Sequence, residues 1–121
     1  MNKTQALVTE WFNIWDRGDF ENLPLTEDFT HSSPYGTISG KANYLALVEP
    51  NKDKFLGNRI ELQDEMYGDR RAAVRYMIHN PAFSMEVSEW LYTRDGLISR
   101  VHAYYNIENE ISESRKLKGL D

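Results

Sequence analysis

Up to about residue 50 the apolar side chains of this chain recur every three or four positions; from Gly57 onward they recur every second position. The first period is that of a helix face and the second that of a strand face. A chain with this order can fold as helices followed by a run of strands, and not as an alternating α/β repeat. Leu7, Trp11, Ile14 and Trp15 lie at i, i+4, i+7 and i+8, one face of a helix. Thr4 is its expected N-cap and Gly18 its expected stop. Asp19 can cap a short second helix from Phe20 to about Leu23, ended near Pro24. Residues 27–33 read as a strand with Phe29, His31 and Ser33 on one side, and Pro34 and Gly36 mark a turn. Ser39 is expected to cap a helix over 40–49.

Four long strands are expected after Gly57. Ile60, Leu62 and Met66 share a face that Asp64 interrupts; Val74, Tyr76 and Ile78 share the next. Phe83, Met85, Val87, Glu89 and Leu91 then align, and Val101, Ala103, Tyr105 and Ile107 complete the last strand. Gly68-Asp69, Asn80-Pro81 and Asp95-Gly96 mark the turns, the last a strong hairpin signal. The expected class is α+β with an antiparallel sheet, in one domain over 1–107, followed by a polar tail over 108–121. One sheet face takes the helices. The other carries Met77, Trp90, Tyr92 and Tyr104, and a second copy of the chain is the simplest cover for it.

The chain has 19 acidic and 14 basic side chains, a net charge of −5, which would repel nucleic-acid phosphates. Cysteine is absent, so no disulfide and no thiolate chemistry is available. Residues 1–5 are polar and lead into no apolar signal core. No run approaches the ~18 apolar residues of a membrane span. The expected compartment is the cytoplasm, with no membrane partner. No His-x-His, no His-Glu-x-x-His and no Cys pattern marks a metal site, and no cofactor is expected.

Glu89 is the one charge on the apolar face of its strand. Burial would raise its pKa toward the range of a general acid or base. The structural alternative is a glutamate held by a cross-strand Arg, Tyr or His. His31 has an unperturbed pKa near neutrality, suited to proton transfer, with a satisfied core histidine as the alternative. His79 and His102 are expected on the opposite sheet face. Trp11, Trp15, Tyr35, Tyr44, Tyr76 and Tyr105 either line one pocket or fill the core.

Trp11-x-x-x-Trp15-x-x-Gly18-Asp19-Phe20, Phe29-x-His31-x-Ser33-Pro34-x-Gly36-x-x-x-Gly40, Glu89-Trp90, Asp95-Gly96-Leu97-Ile98 and Tyr104-Tyr105-Asn106 together resemble the nuclear transport factor 2-like superfamily, in its SnoaL-like, polyketide-cyclase branch. The resemblance covers about residues 4–107. It implies a cone-shaped α+β fold, with N-terminal helices packed on a strongly bent antiparallel sheet, a deep pocket and a homodimer. Its members include isomerases, cyclases, hydrolases, dehydratases and proteins without known activity. Against the ketosteroid-isomerase-like members, Trp11 stands where they carry an oxyanion-hole Tyr, Ser33 where they carry the general-base Asp, and Glu89 matches their second pocket acid. The resemblance therefore points away from steroid isomerisation. The SnoaL-like pairing of a pocket carboxylate with a His implies Glu89 and His31 as the catalytic pair. Ser33, Tyr35 and Ala103 join the expected pocket lining. Two readings stay open. One is an acid/base enzyme of isomerase, cyclase or dehydratase type acting on a small apolar carbonyl compound. The other is a non-catalytic homodimer that binds a ligand or a protein.

Overall fold

The computed structural model describes residues 2–106 and 118–119. Helix α1 spans Lys3–Arg17 and a short 3-10 helix covers Phe20–Asn22. Strands β1, Leu25–Ser33, and β2, Gly36–Ser39, form a hairpin. Helices α2, Lys41–Val48, and α3, Lys52–Phe55, follow. Strands β3, Arg59–Tyr67, β4, Arg71–Asn80, β5, Phe83–Arg94, and β6, Leu97–Tyr104, complete the chain order. Ile107 and most of the expected tail lie outside the described residues.

Helix α1 starts earlier than its sequence signal. Asn2, in extended conformation, is the cap, and its side chain accepts the Gln5 backbone N–H at 2.7 Å. Thr4, the expected cap, is instead buried, and its hydroxyl donates to the Asp69 carbonyl at 2.8 Å. That bond ties the start of α1 to the β3–β4 turn. Gly18 ends the helix at φ 76°, a left-handed conformation that favours glycine.

The six strands form one curved, unclosed sheet in the order β2-β1-β6-β5-β4-β3. All neighbours pair antiparallel except β1 and β6, which run parallel. The chain reaches β6 from β1 through helices and three further strands, so no hairpin forces that pair to be antiparallel. β2 forms where a turn and a helix cap were expected. Ser39 pairs with Thr30 in that hairpin, and Gly40, at φ 94°, leads into α2 in its place.

A register shift between Leu62 and Asp64 alters β3. One extra residue inverts side-chain parity beyond it. Asp64 and Met66, expected on the inner face, therefore point outward. Asp64 accepts from Arg75 at 2.7 Å, and Met66 is 73% exposed. The inner face of the sheet packs under α1 and α2. Val8, Trp11 and Ile14 of α1 meet Phe29, Tyr44, Val74, Tyr76, Val87, Leu91 and Val101 in one core. The outer face carries His79 and His102, as the alternation implied, together with Met77, Trp90, Tyr92 and Tyr104. Arg75 also binds Glu86 there at 2.7 Å, and Arg100 lies 4.1 Å over the Tyr92 ring.

Candidate functional site

Glu89 sits mid-strand in β5, opposite Val74 on β4 and Ala103 on β6. Neither neighbour can pair with a carboxylate. Strand alternation turns its side chain into the core, where the residue is 4% exposed. Tyr76 pairs with Val87, so its ring lies diagonally beside Glu89 on the same face. The Tyr76 hydroxyl donates to Glu89 Oε2 at 3.0 Å. The Trp11 indole faces the same carboxyl from α1 and favours its charged form, short of full hydrogen-bond geometry. Oε1 is buried and has no hydrogen-bond partner among the described residues.

Burial dominates the ionisation of Glu89 and pushes its pKa up to about 7; the Tyr76 and Trp11 donors oppose the rise. Two further hydroxyls sense the carboxylate. Burial raises the Tyr44 pKa, and Glu89 and then Tyr105 add to it. Tyr105 is raised mainly by burial, against a hydrogen bond with Ser33 that lowers it. The site is thus one carboxyl among aromatic hydroxyls, with no salt-bridge partner among the described residues.

His31 is not that carboxyl's partner, contrary to expectation. It lies on β1 level with Val101, and Val101 is level with Leu91. The register sets it two strands across and one side-chain row along from Glu89, about 12 Å between Cα atoms in a flat sheet. No hydrogen bond joins the two. The imidazole stacks on Tyr44 instead, with ring centroids 5.1 Å apart at 26°, and lies 6.5 Å from Phe29. Burial, and to a lesser degree the charge of His102, lower its pKa to about 4, so the ring is neutral at pH 7. Tyr44 stands between the two expected partners, stacked on one and electrostatically coupled to the other.

The other expected lining residues divide. Trp11, Tyr44, Tyr76 and Ala103 are buried around Glu89. Trp15 does not face it: its ring lies between Phe20, at 6.3 Å, and Phe55, at 5.8 Å, and closes the α3 side of the core. Tyr35 is 77% exposed at the β1–β2 turn, beside Tyr105 at 6.2 Å, and so forms rim and not lining. Ser33 sits at the same rim, accepting the Tyr35 N–H at 3.1 Å. Phe12, which no helix-face pattern singled out, packs edge-on against Tyr76 at 5.3 Å.

Rings occupy the interior near Glu89. Trp11 and Phe29 lie 6.4 Å apart, Phe29 and Tyr44 5.1 Å. Two grooves open elsewhere. One, of about 560 Å³, is lined by outer-face residues including Arg75, Glu86 and Tyr104. The other, of about 910 Å³, lies by the start of α1 and is lined by residues including Lys3, Arg70, Arg94 and Arg100. Neither touches Glu89 or His31. Among the described residues no cluster of three or more His, Cys, Asp or Glu could hold a metal, and no helix is long and apolar enough to cross a membrane.

Residues 8–101 match the family model of the SnoaL-like domain. The chain belongs to the SnoaL-like family. That family lies within the nuclear transport factor 2-like superfamily, the one that the tryptophan, His31 and Glu89 motifs resemble. Solved structures repeat the SnoaL-like fold. A proposed ketosteroid isomerase from Kribbella flavida matches with a TM-score of 0.75 at 21% identity, over 98% of this chain and 91% of that one. A proposed polyketide cyclase from Xanthomonas campestris matches at 0.70 and 22%, over 86% and 90%. A SnoaL-like protein of unknown function from Burkholderia thailandensis matches at 0.72 and 18%, over 86% and 95%. At these identities the likeness is one of fold. No curated protein matches the chain.

Proposed function

We propose that this SnoaL-like protein exchanges a proton at Glu89 with a small, largely apolar carbonyl compound. The buried carboxyl, with one oxygen unpaired, is the observation that carries the reading. A pKa of about 7 leaves it able both to accept and to give a proton near neutral pH. In such a step Oε1 takes the proton from the carbon next to the carbonyl. The C–H electron pair becomes the new C=C bond, and negative charge moves to the carbonyl oxygen. Return of the proton at another atom completes an isomerisation; in a dehydration the proton held at Oε1 passes to the hydroxyl on the adjacent carbon, which leaves as water while the enolate electrons form the new double bond. The Tyr44 hydroxyl is suited to donate to the charged oxygen. His31 serves as a neutral wall.

Deuterium exchange tests this without knowledge of the natural substrate. Cyclic and aryl-substituted enones are incubated with the protein in D2O, and loss of their α-proton signals is followed by NMR. The wild type accelerates exchange for at least one member, and Glu89→Gln lowers that rate about 100-fold or more. Equal rates in the two proteins overturn the reading.

The ring-filled interior favours a second reading, a homodimer that binds without catalysis. In either reading the copies meet through the outer sheet face, where Trp90 is 38% and Tyr104 58% exposed. Sedimentation equilibrium is expected to give a dimer at micromolar concentration, and Trp90→Glu a monomer. A wild-type monomer at that concentration removes the dimer from both readings.

A further inference from the structure

Glu89 has two oxygens in unlike surroundings. Oε2 accepts from Tyr76, while Oε1 is buried with no partner among the described residues. Tyr76 is itself buried, and burial followed by the charge of Glu89 raises its pKa well above the ordinary value. Its phenol therefore keeps its proton at neutral pH, and that single proton is committed to Oε2. The ring is held in place as well. Phe12 of α1 meets it at 5.3 Å and 79°, and its strand pairs with β5 along the whole ladder.

The geometry points to Tyr76 as a positioning residue that occupies Oε2 of Glu89 and so makes Oε1 the one oxygen at which the carboxyl gives up and takes back its proton. This deepens the acid/base reading above and rests on it. The other groups facing the carboxyl leave Oε1 free. The Trp11 indole faces it from α1 and favours its charged form without completing a hydrogen bond to Oε1, and Tyr44 on α2 and Tyr105 after β6 feel the charge of Glu89 without bonding to it. His31 on β1 makes no bond to it. When Glu89 is ionised, Oε1 is the oxygen with its full basicity, because the Tyr76 donor draws charge toward Oε2. When Glu89 is neutral, Oε2 is the carbonyl oxygen that accepts from Tyr76, and the proton resides on Oε1. The carboxyl thus presents a defined base or a defined donor to a bound molecule, and loses no time in rotating between two equivalent oxygens.

The test uses protein labelled with 13C at the glutamate carboxyl, with the Glu89 resonance assigned by its absence in Glu89→Gln. The Tyr76 bond favours the ionised form, so Tyr76→Phe is expected to raise the Glu89 midpoint by about one to two pH units. An unchanged midpoint in folded Tyr76→Phe overturns the inference. The wild type supplies an independent measurement should that variant fail to fold. The infrared C=O stretch of protonated Glu89, again assigned by its loss in Glu89→Gln, is expected below the frequency of a free carboxylic acid. A free-acid frequency overturns the inference. Failure of the acid/base reading looks different: the wild-type Glu89 midpoint then falls in the ordinary carboxylate range while the infrared band still shows the Tyr76 bond.

Discussion

His31→Gln makes the stability of this protein fall by about 3 kcal/mol between pH 4.5 and 7, and Glu89→Gln makes it rise by about 3 kcal/mol between pH 4 and 6.5. The two groups are displaced in opposite directions by the same core. Glu89 holds its proton to about pH 7 in the native state, whereas the unfolded chain releases it near 4.5. The native state then binds more protons across that interval, so its stability is complete below pH 4.5 and is lost as pH rises toward 7. His31 accepts a proton only near pH 4 in the native state but near 6.5 when unfolded. Its contribution is complete above pH 6.5 and is lost as pH falls toward 4. The two slopes oppose each other between pH 4.5 and 6.5, so these groups leave the wild type nearly flat there. Urea midpoints measured at half-unit pH steps on the wild type and both variants check this. Variant profiles parallel to that of the wild type would show that neither group is displaced.

Phe29→Ala is expected to cost about 3–5 kcal/mol, a fall in Tm on the order of 10–20 °C for a chain of this length. Phe29 is fully buried and touches Trp11, Tyr44 and His31. Those neighbours are stiff rings on three different elements, so they cannot collapse into the cavity. The Phe29 carbonyl also accepts the Gly40 N–H at 2.7 Å, so the loss would be felt where β1 meets α2. Phe83→Ala serves as the control. Phe83 is 48% exposed near the end of the β4–β5 hairpin, and its loss is expected to cost well under half as much. Similar melting shifts for the two would refute the core role of Phe29.

Alternation and helix period carried most of the fold. They turned Phe29, Val87, Glu89, Leu91 and Val101 inward, and His79, Trp90 and His102 outward, because side-chain direction follows the local backbone period. A cross-strand Tyr was one of the structural partners open to Glu89, and Tyr76 fills that role. Parity failed at one place. The shift after Leu62 sent Asp64 and Met66 outward, since a bulge changes the count without leaving a mark in the apolar pattern. The β2 hairpin was also hidden, because four residues are too few to display a period. The same short range explains the cap. Thr4 and Asn2 are both good cap residues, and the choice went to Asn2 once the Thr4 hydroxyl found the Asp69 carbonyl, 65 residues away.

The sequence by itself determined that the helices come before the four long strands β3 to β6, that one acid lies inside, and that aromatic side chains surround it; each of these is a property of near neighbours in the chain. Only the tertiary structure decided that β1 runs parallel to β6, that His31 stacks on Tyr44 at a distance from Glu89, and that Tyr76 holds one carboxyl oxygen while the other stays free. Those facts depend on strand order and register, which set distances between residues tens of positions apart, and no local period encodes them.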